Sequence, residues 1–140
     1  MTFQEKSITA SLVTMLVVWG YYFFKLYEYR RADVLNFESV QGLLIVVVVM
    51  TIIVSIIAHA LIAGRKALEE GPEEDERDQL ITQRATYLAS YVLGAGVIST
   101  LLIAVVTASL VATINVLVLF FVLSELTRYV LQLLYYRRGI

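Results

Sequence analysis

The chain has 140 residues, of which 59% are hydrophobic, and its mean hydropathy is +0.78. Soluble domains are only about 45–50% apolar, so the composition is typical of a membrane protein with a single domain. The formal net charge is -1 and there are no cysteines. No nucleic-acid-binding surface is therefore expected, because phosphate neutralisation needs clustered Lys and Arg, and thiolate metal sites and cysteine nucleophiles are excluded.

The first apolar segment, residues 8–27, predicts a retained transmembrane helix. Its uncharged part, residues 8–24, is longer than the roughly 7–15 residues of a signal-peptide hydrophobic region, and no small-residue cleavage site follows it. Because amphipathic rings settle at the level of the lipid headgroups, we interpret the aromatic residues near its far end as an interfacial belt. These residues are Trp19, Tyr21, Tyr22, Phe23, Phe24, Tyr27 and Tyr29.

Three further transmembrane helices are predicted over residues 40–63, 85–106 and 110–133. The first of these segments has no charged residue over 24 positions, more than the ~20 needed to cross a bilayer core of ~30 Å. Residues 87–124 form one uncharged stretch, which is too long for one crossing and suits two. Its least apolar central point is residues 107–109, where we expect a short turn.

A charged segment between the second and third helices, residues 64–84, predicts a helical hairpin outside the membrane. Gly71 suits the end of one helix, and Pro72 suits the first position of the next. Seven of the twelve acids lie in residues 69–78. Such a run is either a solvated surface or a docking site for a basic cytoplasmic partner. The docking candidates are Glu73, Glu74, Asp75, Glu76, Arg77 and Asp78.

The distribution of Lys and Arg predicts the orientation. Eight basic residues lie on the side of the spans that holds both termini and the Gly71 loop, and three lie on the opposite side. Cytoplasmic segments carry the excess of Lys and Arg. We therefore expect an all-α bundle of four transmembrane helices in the cytoplasmic membrane, with both termini and the hairpin in the cytoplasm.

Polar residues recur every four positions in the second helix, at Thr51, Ser55 and His59, and therefore share one helix face. This face is expected to contact protein. It would form either a proton-responsive or transport site centred on His59, or an interhelical hydrogen-bonding surface. We favour the hydrogen-bonding surface, because His59 has no second histidine with which to bind a metal.

The fourth helix carries Glu125 and Arg128, which are spaced to pair at i, i+3. The predicted spans place them at about the depth of His59. A transporter would use Glu125 as a coupling carboxylate, but we favour a structural ion pair near the headgroups.

Small residues recur at four-residue spacing in the third helix. One row contains Gly96, Thr100 and Ala104, and another contains Ser90 and Gly94. Such rows let helix backbones approach closely in lipid, so both rows predict helix packing. The partner is either the second helix of the same chain or a second copy.

The residues that lead into the third helix also resemble a known pattern. Residues 74–77, with the sequence Glu-Asp-Glu-Arg, are followed by Ile81, then by Arg84 with Ala85, and by Ser90. This run is similar to the signature of small bacterial and archaeal membrane proteins of unknown function. The resemblance covers a short part of the chain. It implies a prokaryotic cytoplasmic-membrane protein and brings no activity with it.

The leading hypothesis is a non-enzymatic regulatory, immunity or assembly component that acts through its packed helices and its acidic hairpin. Its expected partners are the lipid bilayer and either a second copy or another membrane or cytoplasmic protein, and no cofactor is expected. The alternative is a small transporter or channel that uses the polar residues around His59. Many transporters have helices broken by Gly or Pro, which these segments lack. An enzyme ranks third, because the sequence shows no spacing of nucleophile, base and orienting group that is typical of a catalytic site.

Overall fold

A computed structural model describes residues 3–68 and 76–139, and the secondary structure of these residues is entirely helical. The helices are α1 (Phe3–Arg31), α2 (Phe37–Leu68), α3 (Glu76–Thr107) and α4 (Leu110–Arg138). They contain 29, 32, 32 and 29 residues, and all four are long and apolar enough to cross a membrane. The expectation of an all-α protein with four helices long and apolar enough to span a membrane is confirmed.

The helices are longer than the spans that hydropathy delimits. α2 continues to Leu68, and α3 already begins at Glu76, well before the apolar part of its sequence. The expected corner at Gly71 and Pro72 lies outside the described residues. Hydropathy marks only the part of a helix that lipid surrounds, whereas backbone hydrogen bonding continues into the polar flanks.

The connection from α1 to α2 ends in a reciprocal helix cap. The backbone N–H of Ser39 donates to Asn36 Oδ1 at 2.8 Å, and the N–H of Asn36 donates to Ser39 Oγ at 3.0 Å. The exchange satisfies donors that the first turn of a helix otherwise leaves free. Asp33, in the same connection, has a positive φ of 58°. The direction of the chain therefore reverses over residues 32–36.

The connection from α3 to α4 is only two residues long. Ala108 has a positive φ of 49°, a conformation that reverses the chain at some steric cost for a residue with a Cβ. Ser109 then caps α4, because its Oγ accepts a hydrogen bond from the N–H of Ala112 at 3.3 Å. So short a turn makes α3 and α4 antiparallel neighbours.

The helices pack in the order α2, α1, α4, α3. The largest interface joins α3 to α4, while α1 packs against both α2 and α4. Over residues 3–68 and 76–139, α2 and α3 share no comparable interface. The four helices therefore form a row that is open on one side, between α2 and α3.

The main core lies where α1, α2 and α4 meet. Its buried residues are Met15, Val18, Trp19, Tyr22, Leu43, Val47, Val118 and Val122. Two members of the predicted aromatic belt, Trp19 and Tyr22, are thus core residues, with exposed fractions of 5% and 0%. The belt interpretation is wrong for these two, because they lie on the face of α1 that contacts α2 and α4.

Candidate functional site

The open side of the row is a cleft, with α1 and α4 as its floor and α2 and α3 as its walls. One part of it, which we call the apolar groove, has a volume of about 460 Å³. This volume lies within the range of roughly 300–1,000 Å³ that is typical of ligand pockets. The groove is lined by Trp19, Leu44, Val48, Thr51, Ile52, Leu93, Leu117, Val118 and Phe121.

Two aromatic side chains shape the groove. Trp19 makes edge-on contacts with Tyr22 and Phe121, at ring-centroid distances of 5.7 and 6.1 Å. Its indole nitrogen is buried and has no acceptor among the described residues. Among the described residues of the lining, Thr51 alone carries a hydroxyl, and this group donates to the Val47 carbonyl at 2.8 Å. The groove therefore presents a surface suited to hydrocarbon.

A second cavity, which we call the polar pocket, lies where α1 and α3 begin and α4 ends. It has a volume of about 320 Å³. The Tyr136 hydroxyl donates to Asp78 Oδ1 at 2.7 Å, and Gln132 Nε2 donates to Thr82 Oγ1 at 3.3 Å. Of the described residues that line it, one is an acid and none is a base. The lining consists of Gln4, Ile8, Asp78, Gln79, Thr82, Gln83, Gln132 and Tyr136.

The apolar groove and the polar pocket lie along the same faces of the two floor helices. On α4, the groove residue Phe121 and the pocket residues Gln132 and Tyr136 are separated by 11 and 15 positions, which leaves them within about 60° of one another around the helix. On α1, the same relation joins Trp19 to Gln4. Since both cavities lie on the same side of α1 and α4, we infer that they are the two ends of one cleft. A helix rise of ~1.5 Å per residue makes their separation about 22 Å.

Glu125 and Arg128 extend the same face of α4 between the two cavities. They form the ion pair that their spacing predicts, and their side chains are 25% and 30% exposed. Arg128 Nη2 also donates to the Tyr129 hydroxyl at 3.0 Å, and its guanidinium lies 4.7 Å from the centre of the Tyr129 ring. The middle of the cleft thus carries a locally paired positive and negative charge.

The polar residues of α2 continue the groove wall toward the end that holds the polar pocket. Thr51 lines the groove, Ser55 is partly buried one turn later, and His59 is exposed one turn beyond. His59 Nδ1 donates to the carbonyl oxygen of Ser55 at 2.7 Å, within the same helix. No hydrogen bond in the described part of the chain joins His59 to Glu125 or Arg128. The structure therefore places these candidates toward the same end of the bundle but does not bring them into contact.

The two rows of small residues on α3 have different surroundings. Gly96 is buried against α4, where an added Cβ would lie 2.2 Å from Phe120 Cβ, and Thr100 is buried on the same face. Ala104 is partly buried. Ser90 and Gly94 are exposed, and a Cβ on Gly94 would meet nothing within 4 Å. The first row therefore packs against α4, and the second does not pack within this chain.

The acidic docking candidates are only partly described. Glu73, Glu74 and Asp75 lie outside the described residues. Glu76 and Arg77 are exposed in the first turn of α3, whereas Asp78 lines the polar pocket.

Sequence reasoning did not identify the polar pocket. The sequence offered one signal, Gln132, which is a polar residue in an apolar helix, one turn after Arg128. The structure shows that this side chain is buried. Its partner Thr82 is fifty positions earlier in the chain, and helix periodicity does not reveal such a pairing.

No group of three or more His, Asp or Glu side chains in residues 3–68 and 76–139 is placed to hold a metal ion. The chain matches no protein-family model, no curated protein and no solved structure.

Proposed function

We propose that this chain is a non-enzymatic membrane protein, a regulatory or assembly component, that binds another component of the membrane in the cleft between α2 and α3. The proposal rests on the open row of helices. α2 packs mainly on α1 and α3 packs on α4, so the apolar groove between them is left without a covering helix. A large apolar pocket that contains a few polar groups is the default binding site of a protein.

The chemistry of the cleft favours binding over catalysis. Glu125 is paired with Arg128, and His59 is bonded to its own helix. A catalytic site needs a nucleophile or base, oriented by a partner and aimed at a common point. The described side chains of the cleft offer no such arrangement.

A small transporter or channel is the second candidate. It is favoured by one observation, namely that His59, Glu125 and Arg128 lie toward the same end of the bundle. In this reading His59 would exchange protons during transport. His59→Gln would then abolish proton-driven uptake into liposomes without lowering the melting temperature. We expect no such uptake in the wild type, and its presence there together with its loss in the variant would establish the transporter.

The orientation we propose places both termini, and the charged segment between α2 and α3, in the cytoplasm. It rests on the eight basic residues on that side against three on the other. The acids before and within the first turn of α3 would then face the cytoplasm, where a basic protein could dock. The resemblance to small prokaryotic membrane proteins supports the same location.

The binding proposal is tested by photo-crosslinking in native membranes. A photoreactive amino acid replaces Leu93, which lines the groove, or Ile98, which is 63% exposed on the same helix and does not line it. We expect one dominant adduct from position 93, identified by mass spectrometry, and only unselective lipid adducts from position 98. Indistinguishable adducts at the two positions would contradict the proposal.

A further inference from the structure

The apolar groove and the polar pocket together have the form of a site for a single amphiphile. Resting on the proposed function, we propose that the occupant of the cleft is an aminophospholipid, with one acyl chain in the groove and its primary ammonium group in the pocket. The open row of helices alone does not identify the class of ligand, whereas this assignment does.

The length of the cleft matches one leaflet of a bilayer. Fifteen residues separate Phe121 from Tyr136 on α4, and fifteen separate Gln4 from Trp19 on α1. Each separation corresponds to about 22 Å of helix. A bilayer with its headgroups is about 40–45 Å thick, so one leaflet measures roughly 20–22 Å. A lipid whose head lies in the pocket would therefore place the end of its chain in the groove.

The lining of the groove suits an acyl chain. Trp19 and Phe121 lie on its floor, and aliphatic side chains such as Val48 and Leu93 form its walls. A transmembrane helix has a diameter of roughly 10–12 Å and would require a trough of that width along the whole cleft.

The polar pocket favours a cationic head. Asp78 supplies a carboxylate, and no Lys or Arg is among the described residues that line the pocket. Two opposite charges, Glu5 and Arg77, act on Tyr136 from outside the lining. Gln4, Gln79, Gln83 and Gln132 add amide oxygens that accept hydrogen bonds from an ammonium group. A quaternary ammonium has no N–H to donate, so a primary amine gains hydrogen bonds that choline does not.

The single tryptophan of the chain provides the test, because Trp19 lines the groove. The full-length protein is reconstituted in phosphatidylcholine vesicles that contain increasing fractions of a lipid with brominated acyl chains, and Trp19 fluorescence is recorded. The brominated lipids carry ethanolamine, choline or glycerol head groups on identical chains. We expect the ethanolamine lipid to reach half-maximal quenching at about a tenfold lower mole fraction than the other two, as for one added charge-assisted hydrogen bond.

Asp78→Asn is the decisive variant. Its amide oxygen can still accept the Tyr136 hydrogen bond, so the fold is retained while the negative charge is lost. We expect the preference for ethanolamine to disappear in this variant. It should persist in Glu76→Gln, since Glu76 is exposed and lies outside the pocket lining.

Two results would overturn the lipid assignment. Equal quenching by the three head groups would mean unselective contact with bulk lipid, and stronger quenching by the glycerol lipid would mean an anionic head. If either result accompanied a protein adduct at position 93, the proposed function would stand and the lipid assignment would fall. Equal adducts at positions 93 and 98 would remove the proposed function itself.

Discussion

The Tyr22 hydroxyl donates a hydrogen bond of 2.6 Å to Oδ1 of Asn115 and so joins the two central helices, α1 and α4. Tyr22 is fully buried, and its neighbours in the core, such as Val18 and Val118, are apolar. Packing of apolar groups alone would let α1 slide along α4. A directional bond between two polar groups fixes their relative position, and with it the alignment of the cleft floor.

Removing this bond should destabilise the protein. In Tyr22→Phe the ring keeps its packing, but the Asn115 oxygen loses its donor. Interhelical hydrogen bonds in membranes contribute on average ~0.6 kcal/mol and at most ~1.7 kcal/mol, so a loss within this range is expected. Thermal unfolding in detergent measures it. Tyr21→Phe, at a residue that is 43% exposed, is the control. Equal melting temperatures for the two variants would show that the bond contributes nothing.

The close approach of α3 and α4 depends on the absence of a side chain at Gly96. Gly96→Ala would bring a Cβ to 2.2 Å from Phe120 Cβ and force the helices apart. Overpacking of this kind costs about 1–3 kcal/mol. Gly94→Ala, which meets nothing within 4 Å, should be neutral or slightly stabilising because alanine favours helix. The melting temperatures of the two variants give the comparison, and similar values would place Gly96 outside the interface.

The number of helices and their capacity to span a membrane could be predicted, because hydropathy and segment length follow directly from the transfer of side chains into lipid. The order of the helices in the row could not. In lipid, the faces toward protein and toward hydrocarbon are both apolar, so burial leaves no pattern in the sequence. Trp19 and Tyr22 illustrate the difficulty, since aromatic residues suit both an interface and a core.

The pair of Glu125 and Arg128 should behave as one unit. Replacing either residue leaves a single charge partly buried in the cleft, whereas replacing both removes the charge altogether. We therefore expect Glu125→Gln and Arg128→Gln each to lower stability more than the double variant does. A double-mutant cycle should give a coupling of about 0.5–3 kcal/mol. Additive effects would mean that the two side chains do not interact.

The proposed orientation predicts the behaviour of topology reporters. A reporter that is active only in the cytoplasm should work when fused after Ile140 and when inserted after Gly71. It should fail near Val34, in the connection between α1 and α2, because three basic residues flank that side against eight on the other. Activity at Val34 would reverse the orientation.

The candidate site was only partly accessible to sequence reasoning. The spacing of Glu125 and Arg128 predicted their pairing, because both residues lie on one helix. The polar pocket joins Asp78 to Tyr136 and Thr82 to Gln132, and these contacts arise only when α3 and α4 are aligned. Local periodicity carries no information on that alignment, which is set by Gly96 and by the turn at Ala108 and Ser109.

Native mass spectrometry of the protein extracted from its membrane tests the binding function of the cleft most directly. We expect one bound component per chain in the wild type. That component should be lost in Val48→Phe, whose ring fills the apolar groove. It should be retained in Ile53→Phe, because Ile53 is 51% exposed on α2 outside the groove lining. A wild-type chain that carries no bound component, or equal retention by the two variants, would contradict the proposed binding function.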